Sequence, residues 1–118
     1  MARTKGIEAL QYSFTYSDTT SFTIGWLPPG AYITDIKVLK TTSFEDGVLD
    51  VGDGTTANKY ADDVALNGTG AASVTSTAYW GAVASTADQT EIKGIVVATG
   101  TGLSQGAAKV VVEYAFNE

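Results

Sequence analysis

The sequence predicts an all-β protein: a single β-sandwich, jelly-roll-like, with seven to eight antiparallel strands. Three observations lead to this prediction. The chain has 118 residues, which is enough for one hydrophobic core and too few for two domains. Apolar and polar residues alternate with a period of two in segments rich in β-branched and aromatic side chains. Glycine-containing turns interrupt these segments every ~8–12 residues, as in sandwiches and jelly rolls.

A polar turn separates the first two predicted strands. Residues 7–16 alternate as a half-buried strand, and residues 17–20 then turn the chain. Residues 22–26 form a second strand at hairpin distance from the first. In this strand Trp26 has the same phase as Phe22.

The next two strands are bounded by turns with defined chemistry. Pro28 and Pro29 end the second strand, because proline cannot donate to a strand ladder. A third strand follows over residues 31–42, and a break in its alternation predicts a β-bulge near Asp35. Residues 48–51 form a short fourth strand between two glycine turns.

Residues 55–66 are open to two interpretations. Their apolar residues recur at helical spacing, and Asn67-Gly68 would stop such a helix. The adjacent Asp62 and Asp63, together with the short length, fit an irregular loop equally well.

Three further strands complete the pattern, over residues 72–80, 90–98 and 107–116. The last two are rich in β-branched residues and nearly free of charge. On an open sheet edge they would invite aggregation. We therefore expect them at central positions in the sheets, or covered by assembly.

The amino-acid composition excludes several classes of function. Cysteine and histidine are both absent, which excludes disulfides, thiolate zinc sites, cysteine nucleophiles and Ser-His-Asp triads. The net charge of −6 would repel a phosphate backbone, so we expect no nucleic-acid partner. No apolar run approaches the ~20 residues of a membrane span, and the basic start leads into no signal-peptide segment. We expect a non-enzymatic protein without a cofactor or a membrane partner.

Acidic residues concentrate in one stretch with several glycines. They are Glu45, Asp46, Asp50, Asp53, Asp62 and Asp63. Carboxylates on flexible turns can bind calcium, but the spacing here does not follow the EF-hand order. Aspartate and glycine are also the ordinary residues of tight turns, which is the interpretation we favour. A carboxylate pair for glycoside hydrolysis is a further alternative, although no two residues stand out for it.

The candidate contact residues are aromatic side chains at strand ends. The chain has two Trp, six Tyr and four Phe, most of them in the inward phase of a predicted strand. Trp26, Tyr79 and Trp80 lie at strand ends, where they either pack at the rim of the core or anchor a protein interface. An exposed tryptophan platform would instead be typical of a carbohydrate-binding module.

Two segments have no evident structural role inside a sandwich. Residues 1–6 contain Arg3 and Lys5 and are predicted to form a flexible N-terminal arm, leaving 7–118 as the domain. The other is the uncharged, glycine-rich segment 99–106. Each is either a plain terminus or loop, or a segment that becomes ordered on a partner.

Several segments resemble small tailed-phage virion proteins. They are GAYITDIKVLKTTSF (30–44), GVLDVG (47–52), KYADD (59–63) and AAKVVVEY (107–114). The shared features are a Gly-x-x-Ile-x-x-Ile-x-Val strand, a Thr-x-Phe turn, a Leu-x-Val-Gly turn before a polar Tyr-Ala-Asp loop, and a similar closing strand.

This resemblance implies a capsid decoration (cement) protein with a jelly-roll-like fold, bound to the outer surface of a phage head. Its partner would be the major capsid protein, and it would self-associate as a dimer or trimer. The family supplies no active-site residues. Arg3, Lys5, Trp26, Tyr79 and Trp80 are the contact residues we predict. The alternatives are a tail or neck structural protein, or a carbohydrate-binding or receptor-binding module.

Overall fold

A computed structural model describes residues 8–18, 20–44, 46–53, 55–57, 59–73, 89–98 and 104–116. Within these ranges every regular element is a β-strand. The strands are β1 (Glu8–Thr15), β2 (Phe22–Leu27), β3 (Ala31–Thr42), β4 (Val48–Gly52), β5 (Ala61–Ala65), β6 (Gly70–Ser73), β7 (Thr90–Val97) and β8 (Ala107–Phe116).

The eight strands form two antiparallel sheets of four. Sheet A has the order β1-β8-β3-β6 and sheet B the order β2-β7-β4-β5. The ladders β1·β8, β2·β7, β3·β6 and β4·β5 are those of one long hairpin folded at the β4–β5 turn. Wrapping that hairpin around a barrel axis adds the ladders β8·β3 and β7·β4, and the result is a jelly roll. The predicted all-β jelly-roll sandwich is therefore confirmed.

The two strands at the end of the chain, which contain few charged residues, occupy the central positions that we expected. β7 pairs with β2 and β4, and β8 pairs with β1 and β3. Because both edges of these strands are hydrogen-bonded, neither offers a free edge for aggregation.

The predicted hairpin between the first two strands is wrong. β1 belongs to sheet A and β2 to sheet B, so the turn crosses from one sheet to the other. Asp18 fixes the start of this turn, because its carboxylate accepts the Thr15 N–H at 2.8 Å while its own N–H donates to the Thr15 carbonyl. The chain leaves the plane of sheet A, and Phe22 stacks on Tyr12 across the interior with ring centroids 4.6 Å apart.

A β-bulge lies in β3 at the position where the break in the sequence alternation predicted one. The pairing of β3 with β8 shifts register between Ile33 and Asp35. The shift lets Ile33 and Ile36, three residues apart, both point into the core.

Neither interpretation of residues 55–66 describes the whole segment. Residues 61–65 form strand β5, although the segment before it is irregular. A register shift in the β4·β5 ladder places both Ala61 and Val64 toward the core. The extra residue in this strand places two core residues three positions apart, as in a helix. For this reason the sequence pattern was compatible with a helix here.

The other boundaries agree in part with the sequence. The strand predicted over 72–80 is present as β6 (Gly70–Ser73), and residues 74–80 lie outside the described ranges. Ile7, predicted to open the first strand, also lies outside them.

The core lies between the two sheets and draws on both. Its largest fully buried side chains are Phe14, Leu27, Ile36, Val38, Phe44, Leu49, Val51, Leu66, Ile92, Val110 and Val112. In the described part of the chain no charged or polar residue is fully buried. The core of the described residues is therefore almost entirely apolar.

Candidate interaction surfaces

Trp26 is the one predicted contact residue that falls within the described ranges, and it lies on the outside of the sandwich. Its side chain is 49% exposed, the largest value among the exposed large hydrophobic residues of the described chain. The pairing of β2 with β7 shifts between Thr23 and Gly25, so that Leu27 faces the core and Trp26 faces solvent. Trp26 is therefore not a core residue, although strict alternation gives it the phase of Phe22. Its exposure is consistent with an anchor residue.

The remaining predicted contact residues are not described. Arg3 and Lys5 of the arm, and Tyr79 and Trp80, lie outside the described ranges, as does most of the segment 99–106.

An apolar stripe lies on the outer face of sheet B, separated from Trp26 by Glu91 and Lys93. Val48 and Val97 are cross-strand neighbours, and Ala65 pairs with Val48 on its other side. Ile95 follows on the same face of β7, and Val97 is 39% exposed. The stripe was not predicted from the sequence, although the sequence contains an indication of it. The unbroken apolar run at 95–97 places hydrophobic side chains on both faces of its strand.

Three acidic side chains converge beside this stripe. The carboxylates of Asp50, Asp62 and Asp63 each place an oxygen within 4.8 Å of the others. The β4·β5 register shift brings them together, and the Asp63 N–H donates to Asp50 at 2.8 Å. Asp63 has a positive φ of 56°, a conformation that aspartate tolerates better than most residues.

The surroundings of Asp50 oppose its ionisation. Burial raises the pKa of Asp50 above its ordinary value, and the negative charges of Asp62 and Asp63 raise it further. The hydrogen bond from the Asp63 N–H acts in the opposite direction. These three carboxylates are the residues of the described chain that could hold a hard cation.

Two other acidic residues from the same stretch stabilise turns by accepting backbone N–H groups. Asp53 accepts the N–H groups of Thr55 and Thr56 at 2.8 and 2.7 Å, and Lys59 at 3.2 Å. These contacts lower the pKa of Asp53, the Thr56 N–H having the largest effect. Asp46 accepts the N–H of Gly47. The turn interpretation is therefore correct for Asp46 and Asp53, whereas Asp50, Asp62 and Asp63 form a separate cluster. Glu45 lies outside the described ranges.

The outer face of sheet A is mixed in character. Lys37 lies between two carboxylates, 3.4 Å from Glu113 and 3.8 Å from Asp35. Next to it Leu39 is 39% exposed and pairs with Lys109 of β8. Alternating charge of this kind is typical of a solvated face more than of a hydrophobic contact surface.

Two clefts of the described chain are open and small. One of about 170 Å³ lies near Asp53 and Lys93, and another of about 220 Å³ lies between Ser13 and Thr41. Pockets for small ligands usually measure ~300–1,000 Å³. No helix in the described ranges is long and apolar enough to cross a membrane.

No protein-family model matches the chain, and no curated protein matches it. Its fold is similar to that of chains in phage capsid structures. One belongs to the cyanophage Pam1 capsid asymmetric unit, with a TM-score of 0.70 and 19% sequence identity, covering 99% of this chain and 92% of that one. Another belongs to the acid-stable capsid of Helicobacter pylori bacteriophage KHP30, with a TM-score of 0.65 and 11% identity, covering 93% of this chain and 87% of that one. At these identities the likeness establishes a shared fold.

Proposed function

We propose that this protein is a structural component of a phage virion, a capsid decoration (cement) protein that binds the major capsid protein on the outer surface of the head. One observation carries the proposal. The jelly roll is matched over nearly its whole length by chains of two phage capsids. The sequence segments that resemble small virion proteins lie in strands β3, β4, β5 and β8 of the same fold.

The outer face of sheet B supplies the contact surface in this proposal. Trp26 protrudes at one side of it, and the stripe of Val48, Ile95 and Val97 extends across it. Exposed tryptophan is among the residues most enriched in binding hot spots. In this proposal Arg3 and Lys5 of the arm, together with Tyr79 and Trp80, are further contact residues.

The proposed mechanism is burial of apolar surface across the boundary between neighbouring capsid subunits. Each contact can be weak, because many copies act on one shell and a multivalent clamp dissociates slowly. The protein performs no catalysis in this proposal.

Co-sedimentation with undecorated phage heads tests the proposal. We expect the purified protein to sediment with the heads and to saturate at a fixed ratio to the shell protein. A variant lacking Met1–Gly6 is run alongside. If the arm is a contact segment, its deletion weakens binding while circular dichroism and melting temperature stay unchanged.

Other outcomes of the same experiment would redirect the assignment. A folded protein that fails to bind heads would contradict the decoration role. Binding to isolated tails or necks would then support a structural role there. A change in Trp26 fluorescence on addition of sugars would support a carbohydrate-binding module.

A further inference from the structure

The four edge strands of the sandwich differ in how well they are protected against pairing with another chain. β2 has a register shift at Thr23/Gly25 and runs into Pro28 and Pro29. β5 has five residues, a register shift, and the charges of Asp62 and Asp63. β6 has four residues. Bulges, charges, prolines and short length are the devices that keep sheet edges from pairing.

β1 has none of these devices. It spans eight residues and pairs with β8 without any register shift. After Glu8 at its start, the strand contains neither a charged residue nor a proline. Among the described residues no strand pairs with its other side. In a chain with a net charge of −6, this edge is a long uncharged surface.

Two hydrogen bonds show which backbone groups point outward from this edge. The Tyr16 N–H donates to the Gly106 carbonyl, on the β8 side. The Thr15 N–H donates instead to Asp18, away from β8. Because the groups of successive residues alternate in an antiparallel ladder, those of Ala9, Gln11 and Ser13 point away from β8.

From this geometry we infer that β1 is a self-pairing edge. Two copies of the chain join antiparallel along β1, with a two-fold axis at Gln11. In this register Gln11 faces Gln11 of the second copy, and Ala9 faces Ser13. The three residue pairs are Ala9 with Ser13, Gln11 with Gln11, and Ser13 with Ala9. Each pair exchanges two backbone hydrogen bonds, which makes six in all. A shift that brings Thr15 opposite Ala9 leaves fewer, since the N–H and carbonyl of Thr15 are already bonded to Asp18.

The side chains fit the same register. Leu10 of one copy lies opposite Tyr12 of the other, on the face that points into the sandwich. Both side chains are only partly buried in the single chain, where they pack against the edge of the core. An aromatic and an aliphatic residue form a favourable cross-strand pair.

The charges and the symmetry favour a closed pair over a growing fibre. Glu8 lies opposite Phe14 in this register, so that no two like charges face each other. An isologous two-fold contact uses up both edges and ends assembly at the dimer. The edges β2 and β5 are blunted by their register shifts, so we do not expect sheet B to extend along them.

Sedimentation equilibrium of the free protein, with one substitution and its matched control, tests the inference. Gln11→Lys places two lysines face to face at the axis, and we expect it to raise the dimer dissociation constant roughly fivefold or more. Gln89→Lys makes the same change at another exposed glutamine, outside β1, and is expected to leave the constant unchanged. Dimers of equal strength in both variants would overturn the inference.

A backbone variant tests the hydrogen bonds separately. Gln11→Pro deletes an N–H that points away from β8, so the β1·β8 ladder and the fold are retained. The dimer loses two of its six bonds, and we expect a weakening of roughly 30-fold. Unchanged dimerisation of a folded Gln11→Pro variant would contradict the proposed pairing.

Cross-linking tests the register, because the chain contains no cysteine. Residues directly opposite in a hydrogen-bonded antiparallel pair have Cα atoms ~5.5 Å apart, within disulfide range. Gln11→Cys should therefore form a disulfide-linked dimer on mild oxidation, and Gln89→Cys should not. Equal cross-linking at both positions would overturn the register.

The outcome is separable from the proposed function. A free protein that stays monomeric, or that forms trimers, overturns the β1 dimer whether or not it binds heads. A dimer that fails to sediment with heads leaves this inference standing and contradicts the decoration role.

Discussion

At the scale of single residues, Gly106 shows how closely the backbone approaches the core. Its φ is +144°, and a Cβ built there would lie 2.4 to 2.7 Å from three ring atoms of the fully buried Phe44. The contact is with the body of a packed ring, which cannot move aside without disturbing its neighbours.

We expect Gly106→Ala to destabilise the fold by about 3 kcal/mol, combining backbone strain with overpacking. Thermal unfolding measures the loss. Gly30→Ala is the matched control, because Gly30 also has a positive φ, +81°, with nothing within 4 Å of the added Cβ. We expect it to cost only the strain, about 1 kcal/mol. Equal melting temperatures for the two variants would contradict the role assigned to Phe44.

Asp50 shows the effect of strand pairing on a single carboxyl group. Its pKa is raised by burial and by Asp62 and Asp63, so the folded protein holds a proton more tightly than the unfolded chain. Stability therefore falls as pH rises from the unfolded pKa through the folded one. We expect Asp50→Asn to raise the melting temperature at pH 7, with the gain disappearing below about pH 4. Melting curves across this range check it.

Asp53, in the same turn region, has a pKa shift of the opposite direction and therefore the opposite effect on how stability depends on pH. Hydrogen bonds from Thr56, Thr55 and Lys59 lower its pKa, so its contribution to stability is present above the unfolded pKa and is lost as pH falls through the folded pKa. Asp53→Ala removes the acceptor of two backbone N–H groups and should cost about 1 kcal/mol at pH 7. If Asp50→Asn and Asp53→Ala changed the melting temperature in the same direction at pH 7, the assigned environments would be wrong.

At the scale of elements, period-two alternation located the strands, and β-bulges limited what it could predict. The pattern placed β3, β7 and β8 within a residue of their observed bounds. A bulge changes which face each later residue occupies, and only the partner strand fixes where it falls. The bulge near Asp35 was visible because apolar residues flank it on both sides. The bulges in β2 and β5 were not visible in the sequence, so alternation gave Trp26 the phase of the core residues and did not predict the strand at 61–65.

Hydrogen exchange should rank the strands by their place in the sheets. β7 and β8 are paired on both sides, whereas β5 and β6 are short and at an edge. We expect amides of β7 and β8 to exchange only through global opening, and those of β5 and β6 through local opening, at least tenfold faster. Faster exchange in β8 than in β6 would contradict the strand order.

At the scale of the whole molecule, the sequence could indicate a sandwich but not its strand order. The polar turn at 17–20 looks like a hairpin turn, but the chain passes through it into the other sheet, and Asp18 caps Thr15 at its start. The acidic cluster could not be predicted for the same reason, because it depends on which strands are paired. Asp50 is twelve residues from Asp62 in the chain, and only the ladder between β4 and β5 brings them together.

The two outer faces allow the proposed orientation on a shell to be tested by a matched pair of substitutions. Trp26 is 49% exposed on sheet B, and Leu39 is 39% exposed on sheet A. Both are surface positions, so neither Trp26→Ala nor Leu39→Ala should change stability by more than about 0.5 kcal/mol. If sheet B faces the capsid, Trp26→Ala removes an anchor and weakens head binding about 30-fold per site, equivalent to about 2 kcal/mol. Leu39→Ala should bind as the wild type does. Loss of binding by Leu39→Ala alone would place sheet A against the shell instead.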